Sequence, residues 1–307
     1  MNEYSGVFRS TDNGANWTRL NNGLPDNGSV LAFGVSESTI FMSMHIEEGI
    51  FCSSDNGTTW SKVNTGMNKD DRFVTFAVNG NTIFAGTGFN GVYRTENRGN
   101  TWTRVGNGLS EDECIIAFAQ LEGTILAGSS EGDVYCSSDN GDRWDKISKI
   151  AEHTNPLGFA VNGTTIFAGT ASGVYISMDQ GNTWTIVKNL PSNESPYIES
   201  ITSRGMNVFI STSHDGVFRS SDQGITWIKV DNVLPPWLNE REFIRSFAGS
   251  GPTVYAVGGL GNIFSSADNG EKWRHVYKGK DILISAFAVS GTTLFAGWDS
   301  LNEDSVR

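Results

Sequence analysis

Residues 10 to 17 read Ser-Thr-Asp-Asn-Gly-Ala-Asn-Trp, and the pattern Ser-x-Asp-x-Gly-x-x-Trp in this stretch returns six more times. We call each copy a repeat turn. The acidic or amide residue and the tryptophan of the copies are Asp12 and Trp17, Asp55 and Trp60, Asn97 and Trp102, Asp139 and Trp144, Asp179 and Trp184, Asp222 and Trp227, and Asp268 and Trp273. Successive tryptophans are 43, 42, 42, 40, 43 and 46 residues apart, so seven units use up the whole chain.

Each unit contains four β-rich segments, which we name strands A to D. In the second unit they are Arg72–Val78, Thr82–Thr87, Gly91–Thr95 and Thr101–Val105. A period of about 40–45 residues with several short strands per unit is typical of a β-propeller. The sequence therefore predicts an all-β, seven-bladed propeller of four-stranded antiparallel blades. The other inner strands are predicted at Val30–Val35, Ile115–Gln120, Leu157–Val161, Ile198–Thr202, Phe243–Ala248 and Leu283–Val289.

The two ends of the chain complete one blade between them. The chain begins in a strand C, Gly6–Ser10, followed by a strand D, Asn16–Leu20. It finishes with a strand A, Leu283–Val289, and a strand B, Thr293–Gly297. Pairing these four strands closes the ring and removes the sheet edges that invite aggregation. We expect residues 1–307 to form a single propeller domain.

The repeat turn has a structural chemistry of its own. Its Asp accepts hydrogen bonds from turn amides, its Gly adopts a left-handed backbone without steric cost, and its Trp offers a large apolar face between neighbouring sheets. One carboxylate per copy is far short of the oxygens that calcium requires, so we expect no metal at these turns.

The seven motifs resemble the Asp-box, or BNR, repeats of sialidases, sortilin-type receptors, xyloglucanases and photosystem II assembly factors. The resemblance covers all seven units, and six of them keep the Asp; Asn97 departs from the pattern and implies a weaker turn. It implies the sialidase-like propeller fold. It does not imply one activity, because the relatives differ in function.

Composition excludes several classes of partner. A net charge of −12 argues against nucleic acid, whose phosphates would be repelled. No apolar run approaches the ~20 residues of a membrane span. The sequence has no Gly-rich phosphate loop, nucleophile elbow or zinc-ligand spacing, so we expect no cofactor. Cys52, Cys114 and Cys136 are expected to be reduced, and the protein to be a monomer.

The N-terminus lacks the basic and then apolar pattern of a secretory signal. This leaves two alternatives for the compartment: a cytoplasmic protein, or a secreted or periplasmic protein whose signal has been removed.

Antiparallel connectivity decides which loops share a face. The A–B and C–D turns lie at one end, and the B–C and D–A loops lie at the other end, which we call the mouth face because it surrounds the central channel. Loops on a rigid scaffold usually carry function. Candidate ligand-binding residues in or beside the mouth-face loops are Arg72, Tyr197, Glu199, His214, Asp215, Trp237, Arg241 and Arg245.

Trp237 is a tryptophan that the repeat does not explain. It follows Pro235-Pro236 in the longest D–A loop. An exposed, proline-stiffened Trp could stack on a sugar or anchor a partner protein. The alternative is that it folds back over the hydrophobic rim.

One position of the inner strand changes character around the ring. Aligning the seven strands A places the following residues at one structural position: Leu31, Val74, Ile116, Leu157, Glu199, Arg245 and Ser285. The two charged members have opposite sign and lie in adjacent blades, so we predict an ion pair between them. In the alternative, Arg245 is partly free and binds an anionic ligand at the channel mouth.

The arginines do not match the needs of a sialidase, which clamps a carboxylate with three of them and uses a Tyr–Glu nucleophile pair. Arg9, Arg94 and Arg219 share one strand-C position of the repeat, so few arginines remain for the mouth face. We therefore predict a non-enzymatic binding or assembly propeller that presents the mouth face to a protein or glycan. The alternative is a glycoside hydrolase that uses two loop carboxylates at the channel mouth.

Overall fold

The structure, a computed structural model, describes residues 5–26, 28–36, 39–45, 48–152, 154–192, 196–230, 243–279 and 282–300. These residues form seven four-stranded antiparallel sheets, each in the order A-B-C-D. The sheets are the blades of a closed ring, which confirms the predicted propeller. We number the blades 1 to 7 from the one that begins at Val30.

Strand A lines the channel in every blade. In the order of blades 1 to 7 these strands are Val30–Ser36, Phe73–Asn79, Ile115–Leu121, Pro156–Asn162, Ile198–Arg204, Ile244–Ser250 and Ile282–Ser290. Each begins within one residue of its predicted start. Each runs one or two residues further than predicted, because pairing with strand B continues up to the tight A–B turn.

Strand B is the most deeply buried strand of the blade, since it has neighbouring strands on both sides and neighbouring blades on both faces. For example, all six residues of Thr82–Thr87 and all six of Thr165–Thr170 are buried. The seven strands are Thr39–Met44, Thr82–Thr87, Thr124–Ser129, Thr165–Thr170, Asn207–Thr212, Thr253–Gly258 and Thr293–Ser300.

Strand C leads into the repeat turn. The seven strands are Ile50–Ser53, Val92–Thr95, Asp133–Ser137, Gly173–Ser177, Gly216–Ser220, Ile263–Ser266 and Gly6–Ser10. The first strand of the chain pairs with the last, with Gly6 opposite Trp298 and Ser10 opposite Leu294. Blade 7 is thus built from both ends of the chain, as the sequence predicts.

Strand D is the outer edge and is shorter than predicted. The seven strands are Ser61–Lys62, Thr103–Arg104, Asp145–Lys149, Thr185–Ile186, Ile228–Lys229, Arg274–Tyr277 and Thr18–Arg19. The prediction began strand D of blade 2 at Thr101. In the structure the amide of Trp102 instead donates to the carbonyl of Thr65 in the loop leaving blade 1, at 2.8 Å. The tryptophan backbone therefore links blades, and the strand starts after it.

The core lies between the blades. At four junctions, a Phe on strand B of one blade packs edge to face against the repeat-turn Trp of the next blade. In one example, the ring centroids of Phe84 and Trp144 are 6.3 Å apart and the ring planes are inclined at 88°. Five repeat-turn tryptophans are buried, which agrees with the predicted packing. Trp17 and Trp184 are only half-buried, so the packing is not uniform around the ring.

The repeat turns form the hydrogen bonds expected of them. In blade 1, Ser53 Oγ donates to Asp55 Oδ1 at 2.8 Å, and the Thr59 amide donates to the same oxygen at 2.8 Å. Thr59 Oγ1 donates to Asp55 Oδ2 at 2.6 Å. Gly57 has a φ of 81° and Asn56 a φ of 58°, both in the left-handed region. The carboxylate is thus occupied by the turn's own donors.

Asn97 makes the same turn as its acidic counterparts. Its Oδ1 accepts from Thr95 Oγ1 and from the Thr101 amide, both at 2.9 Å. Its Nδ2 donates to Thr101 Oγ1 at 2.8 Å. The substitution therefore keeps the geometry and removes only the charge, and the expected weakening of this turn stays a prediction.

The three cysteines are unpaired in the structure and partly buried. Burial raises the pKa of each thiol. In the described part of the chain, no helix is long and apolar enough to span a membrane.

Candidate functional site

A ring of bulged residues surrounds the mouth of the channel. Near the start of each strand A, the pairing with strand B skips one residue, which is a β-bulge. The skipped residues are Leu31, Val74, Ile116, Leu157, Glu199, Arg245 and Ser285, which are the seven that the sequence alignment places at one position. A bulge redirects its side chain away from the regular alternation of the strand. None of the seven is buried, so the ring is available to a ligand.

The ring has two chemically different halves. Blades 1 to 4 contribute Leu31, Val74, Ile116 and Leu157, and blades 5 to 7 contribute charged or hydroxyl side chains. Partly exposed aliphatic side chains in one half of the ring and an exposed arginine in the other half favour a ligand that is apolar on one side and charged on the other. This asymmetry distinguishes the mouth from the regular outer parts of the propeller.

A groove of about 430 Å³ opens between blades 2 and 3 in the apolar half. Val74 and Ile116 of the ring form part of its wall, and Phe89 stands beside them with 70% of its surface exposed. The remaining wall includes charged groups from the same loops, namely Arg72, Asp112 and Glu131. Aromatic side chains are frequent anchors at recognition surfaces, which makes Phe89 a candidate binding residue.

Buried polar contacts hold the walls of this groove in place. Glu113 is buried, and Tyr135 Oη donates to its Oε2 at 2.6 Å. Asp71 is also buried and accepts from Asn90 Nδ2. Each of these two carboxylates lies two residues before a strand A, at equivalent positions in neighbouring blades, and each is held by a buried polar contact.

Two buried tyrosines lie behind the groove, next to the buried carboxylates Asp71 and Glu113. Burial, followed by the bond to Glu113, raises the pKa of Tyr135. Burial, followed by the neighbouring Asp71, raises the pKa of Tyr93 to about 12. Tyr135 and Glu113 are both buried, so this pair is closed to a ligand at the mouth. The Tyr135–Glu113 pair is therefore a structural contact.

Glu199 and Arg245 do not form the predicted ion pair. Ser213 Oγ donates to Glu199 Oε1 at 2.6 Å. The Arg245 guanidinium lies over the ring of Phe243, 4.7 Å from its centroid. The ion pairs within 4 Å among the described residues do not include these two. The prediction is wrong because each charge has a partner within its own blade, and because both positions are open to solvent and need no mutual neutralisation.

The structure gathers several of the predicted residues in blade 5. Tyr197 is exposed one residue before strand A, and burial followed by the charge of Glu199 raises its pKa. The Ser213 amide donates to the Tyr197 carbonyl at 3.1 Å. His214 is exposed in the same B–C loop, and Asp215 Oδ2 accepts from Ser192 Oγ at 2.6 Å.

The other predicted residues are distributed differently. Arg72 lies in the groove of blades 2 and 3, separated from the blade 5 residues by the intervening blades. Trp237 and Arg241 lie outside the described residues. The structure therefore brings together the predicted residues of blade 5 and leaves Arg72 with a different set of neighbours.

The strand-C arginines act at the end of the propeller opposite to the mouth. Arg9 Nη1 donates to the carbonyl of Asn56 in the next blade at 2.7 Å. Arg94 and Arg219 do the same to the repeat turns of blades 3 and 6. These arginines join blades, and they cannot clamp a ligand at the mouth.

Phe89 was not among the residues that the sequence singled out. It lies in the B–C loop Gly88-Phe89-Asn90, where the corresponding loops of blades 3, 4 and 5 carry polar residues such as Glu131, Ser172 and His214. Subtracting the repeat, which isolates Trp237, would have isolated this aromatic residue too. Val74 and Ile116 were recognised only as apolar members of the ring.

Comparison with solved structures supports the fold. YCF48 from Cyanidioschyzon merolae superimposes with a TM-score of 0.67 at 16% identity, over 89% of this chain and 96% of that one. A YCF48 bound to D1 peptide gives a TM-score of 0.70 at 13% identity, over 91% and 96%. The GH74 xyloglucanase from Xanthomonas campestris gives 0.68 at 15% identity, over 88% of this chain and 51% of the enzyme.

No protein-family model matches this chain, and no curated protein sequence does. At these identities the structural neighbours establish a shared seven-bladed propeller fold and nothing about activity.

Proposed function

We propose that this protein is a non-enzymatic binding or assembly propeller whose mouth face captures an extended segment of another protein. The observation that carries the proposal is the ring of bulged residues, aliphatic in blades 1 to 4 and carrying the exposed Arg245 in blade 6. We further infer that residues 1–307 form one domain and that its repeat turns are Asp boxes, which serve as structural turns.

Three features support a protein segment as the ligand. The aliphatic half of the ring adjoins the groove that holds Phe89, so apolar side chains of a segment have a place to be buried. Arg245 has no acidic partner within 4 Å among the described residues, and its guanidinium offers bidentate donors to a carboxylate. One of the structural neighbours is a propeller described as bound to a peptide, which shows that this architecture can hold one.

A glycoside hydrolase is the second candidate. The observation that favours it is the presence of Asp112 and Glu131 in the wall of the groove beside an exposed aromatic ring. Two carboxylates flanking a sugar are the minimum for glycosidic hydrolysis. Release of reducing sugar from xyloglucan, abolished by Asp112→Asn or Glu131→Gln, would establish this alternative.

Selection from a random peptide display library tests the main proposal. Peptides selected on the wild-type protein are expected to lose at least about tenfold in affinity, or about 1.4 kcal/mol, against Val74→Glu and against Arg245→Met. Thr58→Glu is the matched control, because it adds the same charge at an exposed position on the opposite face. Peptides that bind all variants equally, or glycan-array binding without any selected peptide, would contradict the proposal.

A further inference from the structure

The outer edge of blade 4 differs from the other six. The second residue after the repeat-turn Trp lies on strand D, and it is basic in every other blade: Arg19, Lys62, Arg104, Lys146, Lys229 and His275. Blade 4 has Ile186 there. Charged side chains on edge strands, lysine above all, prevent sheets from pairing with one another. Five of the other edges thus carry a Lys or Arg at this position, and blade 6 carries a histidine, whereas blade 4 has no polar side chain there.

The backbone N–H and C=O groups of Ile186 are directed away from strand C, toward the open edge of the blade. The Val187 amide donates to the Val174 carbonyl of strand C at 2.9 Å, and Ile186 is opposite Tyr175. Residues of an antiparallel strand alternate between bonding inward and bonding outward. The N–H and C=O of Ile186 therefore point away from the blade, toward any strand that approaches its edge.

The surface around this edge is apolar. Met178 and Ile225 are 69% and 68% exposed, and with Ile186 they border a groove of about 450 Å³ that has Ile176 in its wall. Met206, also exposed, extends the patch on the far side of Ile225. A contiguous exposed apolar patch on a soluble fold marks an interaction site.

The repeat does not require these apolar residues. Other repeat turns place small or polar residues at the position of Met178: Thr11, Ser54, Glu96, Ser138, Ser221 and Ala267. At the position of Ile225 they place Ala15, Thr58, Asn100, Asp142, Asn182 and Glu271. The fold is therefore made equally well without this patch.

An inter-blade position that is polar elsewhere in the propeller is apolar at this groove. At three junctions a strand-C arginine reaches the next repeat turn, as Arg94 does. The same strand-C position in blade 4 is Ile176, which lines the groove together with Ile225 of blade 5, at the position where blade 3 has Asp142. An ion pair is thus replaced by two isoleucines, which leaves an apolar cleft at the surface.

We propose that the edge of blade 4 is a homodimer interface. Two copies related by a two-fold axis would set their strands D antiparallel, so that the outward groups of Ile186 bond across the axis and the exposed Met178 and Ile225 of each copy enter the cleft of the other. This proposal is an alternative to the monomer expected from the sequence.

Charge argues for a second copy as the occupant. The chain carries a net charge of −12, so most surfaces of two copies repel each other. The groove is lined by one acidic residue, Asp179, and one basic residue, Lys188. A surface with one charge of each sign beside an apolar centre is complementary to itself under a two-fold rotation, because each lysine can face the aspartate of the other copy.

Sedimentation velocity over a concentration series tests the proposal. The wild-type protein is expected to shift from monomer to dimer in the micromolar range, since the interface is small. Ile186→Lys, which installs the residue type of the other edges, should stay monomeric throughout. Ile225→Asp, which introduces the residue that blade 3 has at this position, should also stay monomeric. The control is Ala15→Asp at the equivalent exposed position of blade 7, which should dimerise like the wild type.

Hydrogen exchange gives a second readout. The Ile186 amide is expected to be protected in concentrated wild-type protein and to exchange freely on dilution. A wild-type monomer at the highest concentration, a dimer that survives Ile186→Lys, or exchange at Ile186 that is independent of concentration would each overturn the proposal. Peptide binding at the mouth face is expected to be unchanged in Ile186→Lys, so the two proposals fail separately.

Discussion

Arg94 of blade 2 and Asp142 of blade 3 form an ion pair across a blade junction, with Arg94 Nη1 2.7 Å from Asp142 Oδ1. The same nitrogen donates to the carbonyl of Asn140 at 2.5 Å. The arginine side chain is mostly buried against the next repeat turn, whereas the aspartate is exposed. The contact therefore owes its strength to the carbonyl and to the packing of the arginine stem more than to the exposed carboxylate.

Removing the Arg94 side chain should destabilise the folded propeller. Arg94→Met is expected to lower the free energy of unfolding by about 1–2 kcal/mol, because it leaves the Asn140 carbonyl without its donor. Arg143→Met is the control, since Arg143 pairs with Asp145 in an exposed contact that should contribute less than about 1 kcal/mol. Chemical denaturation measures both. Equal losses in the two variants would show that burial of Arg94 does not matter.

The repeat-turn tryptophans should differ in their contribution to stability. Trp144 is fully buried, and its Nε1 donates to the Val105 carbonyl of the preceding blade at 2.8 Å. Trp184 is half-buried, and its Nε1 donates both to the Gly181 carbonyl of its own turn and to Ser148 Oγ of the preceding blade, each at 3.1 Å. Trp144→Ala is expected to cost about 3–5 kcal/mol, and Trp184→Ala clearly less. A denaturation midpoint that is unchanged in Trp144→Ala would refute the inter-blade packing described above.

Acid should weaken the protein through its repeat turns. The amide of Asn16 and then its side chain hold the pKa of Asp12 at about 2, and the hydroxyl and amide of Thr59 hold the pKa of Asp55 at about 2. A lowered folded-state pKa contributes stability that is present above the ordinary value of 3.8 and is lost as the pH falls toward 2. The urea midpoint should therefore decrease steadily across this window.

The control is a variant that gives the repeat turn of blade 1 the amide that blade 2 has naturally. Asp55→Asn keeps the turn geometry that Asn97 shows and cannot titrate. Its urea midpoint should depend less steeply on pH between 3.8 and 2 than that of the wild type. Identical pH dependence would mean that other carboxylates govern acid unfolding.

The exposed charges of the mouth should contribute little to stability. Glu199 and Arg245 bind within their own blades, so a double-mutant cycle of Glu199→Gln and Arg245→Met is expected to give a coupling energy below about 0.5 kcal/mol. Each single variant should change the free energy of unfolding by no more than a similar amount. A coupling energy above about 1 kcal/mol would show that Glu199 and Arg245 interact directly, as the sequence predicted.

The repeat made most of the architecture predictable. A motif recurring every 40 to 46 residues reports a local turn, and the local turn is set by Ser, Asp and Gly side chains within eight residues of one another. Because every unit must bury the same faces, the alternation in one unit predicts the strands of all seven. The short length of the D strands could not be predicted in this way. In blade 2 the strand starts late because the Trp102 amide bonds to Thr65 of another blade, and that contact is not local in sequence.

The site was predictable in its position but not in its contacts. Aligning the inner strands identified the ring of residues from Leu31 to Ser285, because register along a strand follows from sequence. It could not show that all seven are bulged, since a bulge is a relation between two strands. It also paired Glu199 with Arg245 on charge alone, whereas the nearest partners, Ser213 and Phe243, are determined by how each loop folds back on its own blade.

The sequence by itself determined the number of blades, the closure of the ring by both termini and the end of the propeller at which each loop lies, because these follow from periodicity and antiparallel connectivity. Only the tertiary structure decided that Arg94 joins blades, that Phe89 borders a groove and that Ile186 stands on an open edge. Those properties depend on what a neighbouring blade presents, which no local pattern of residues encodes.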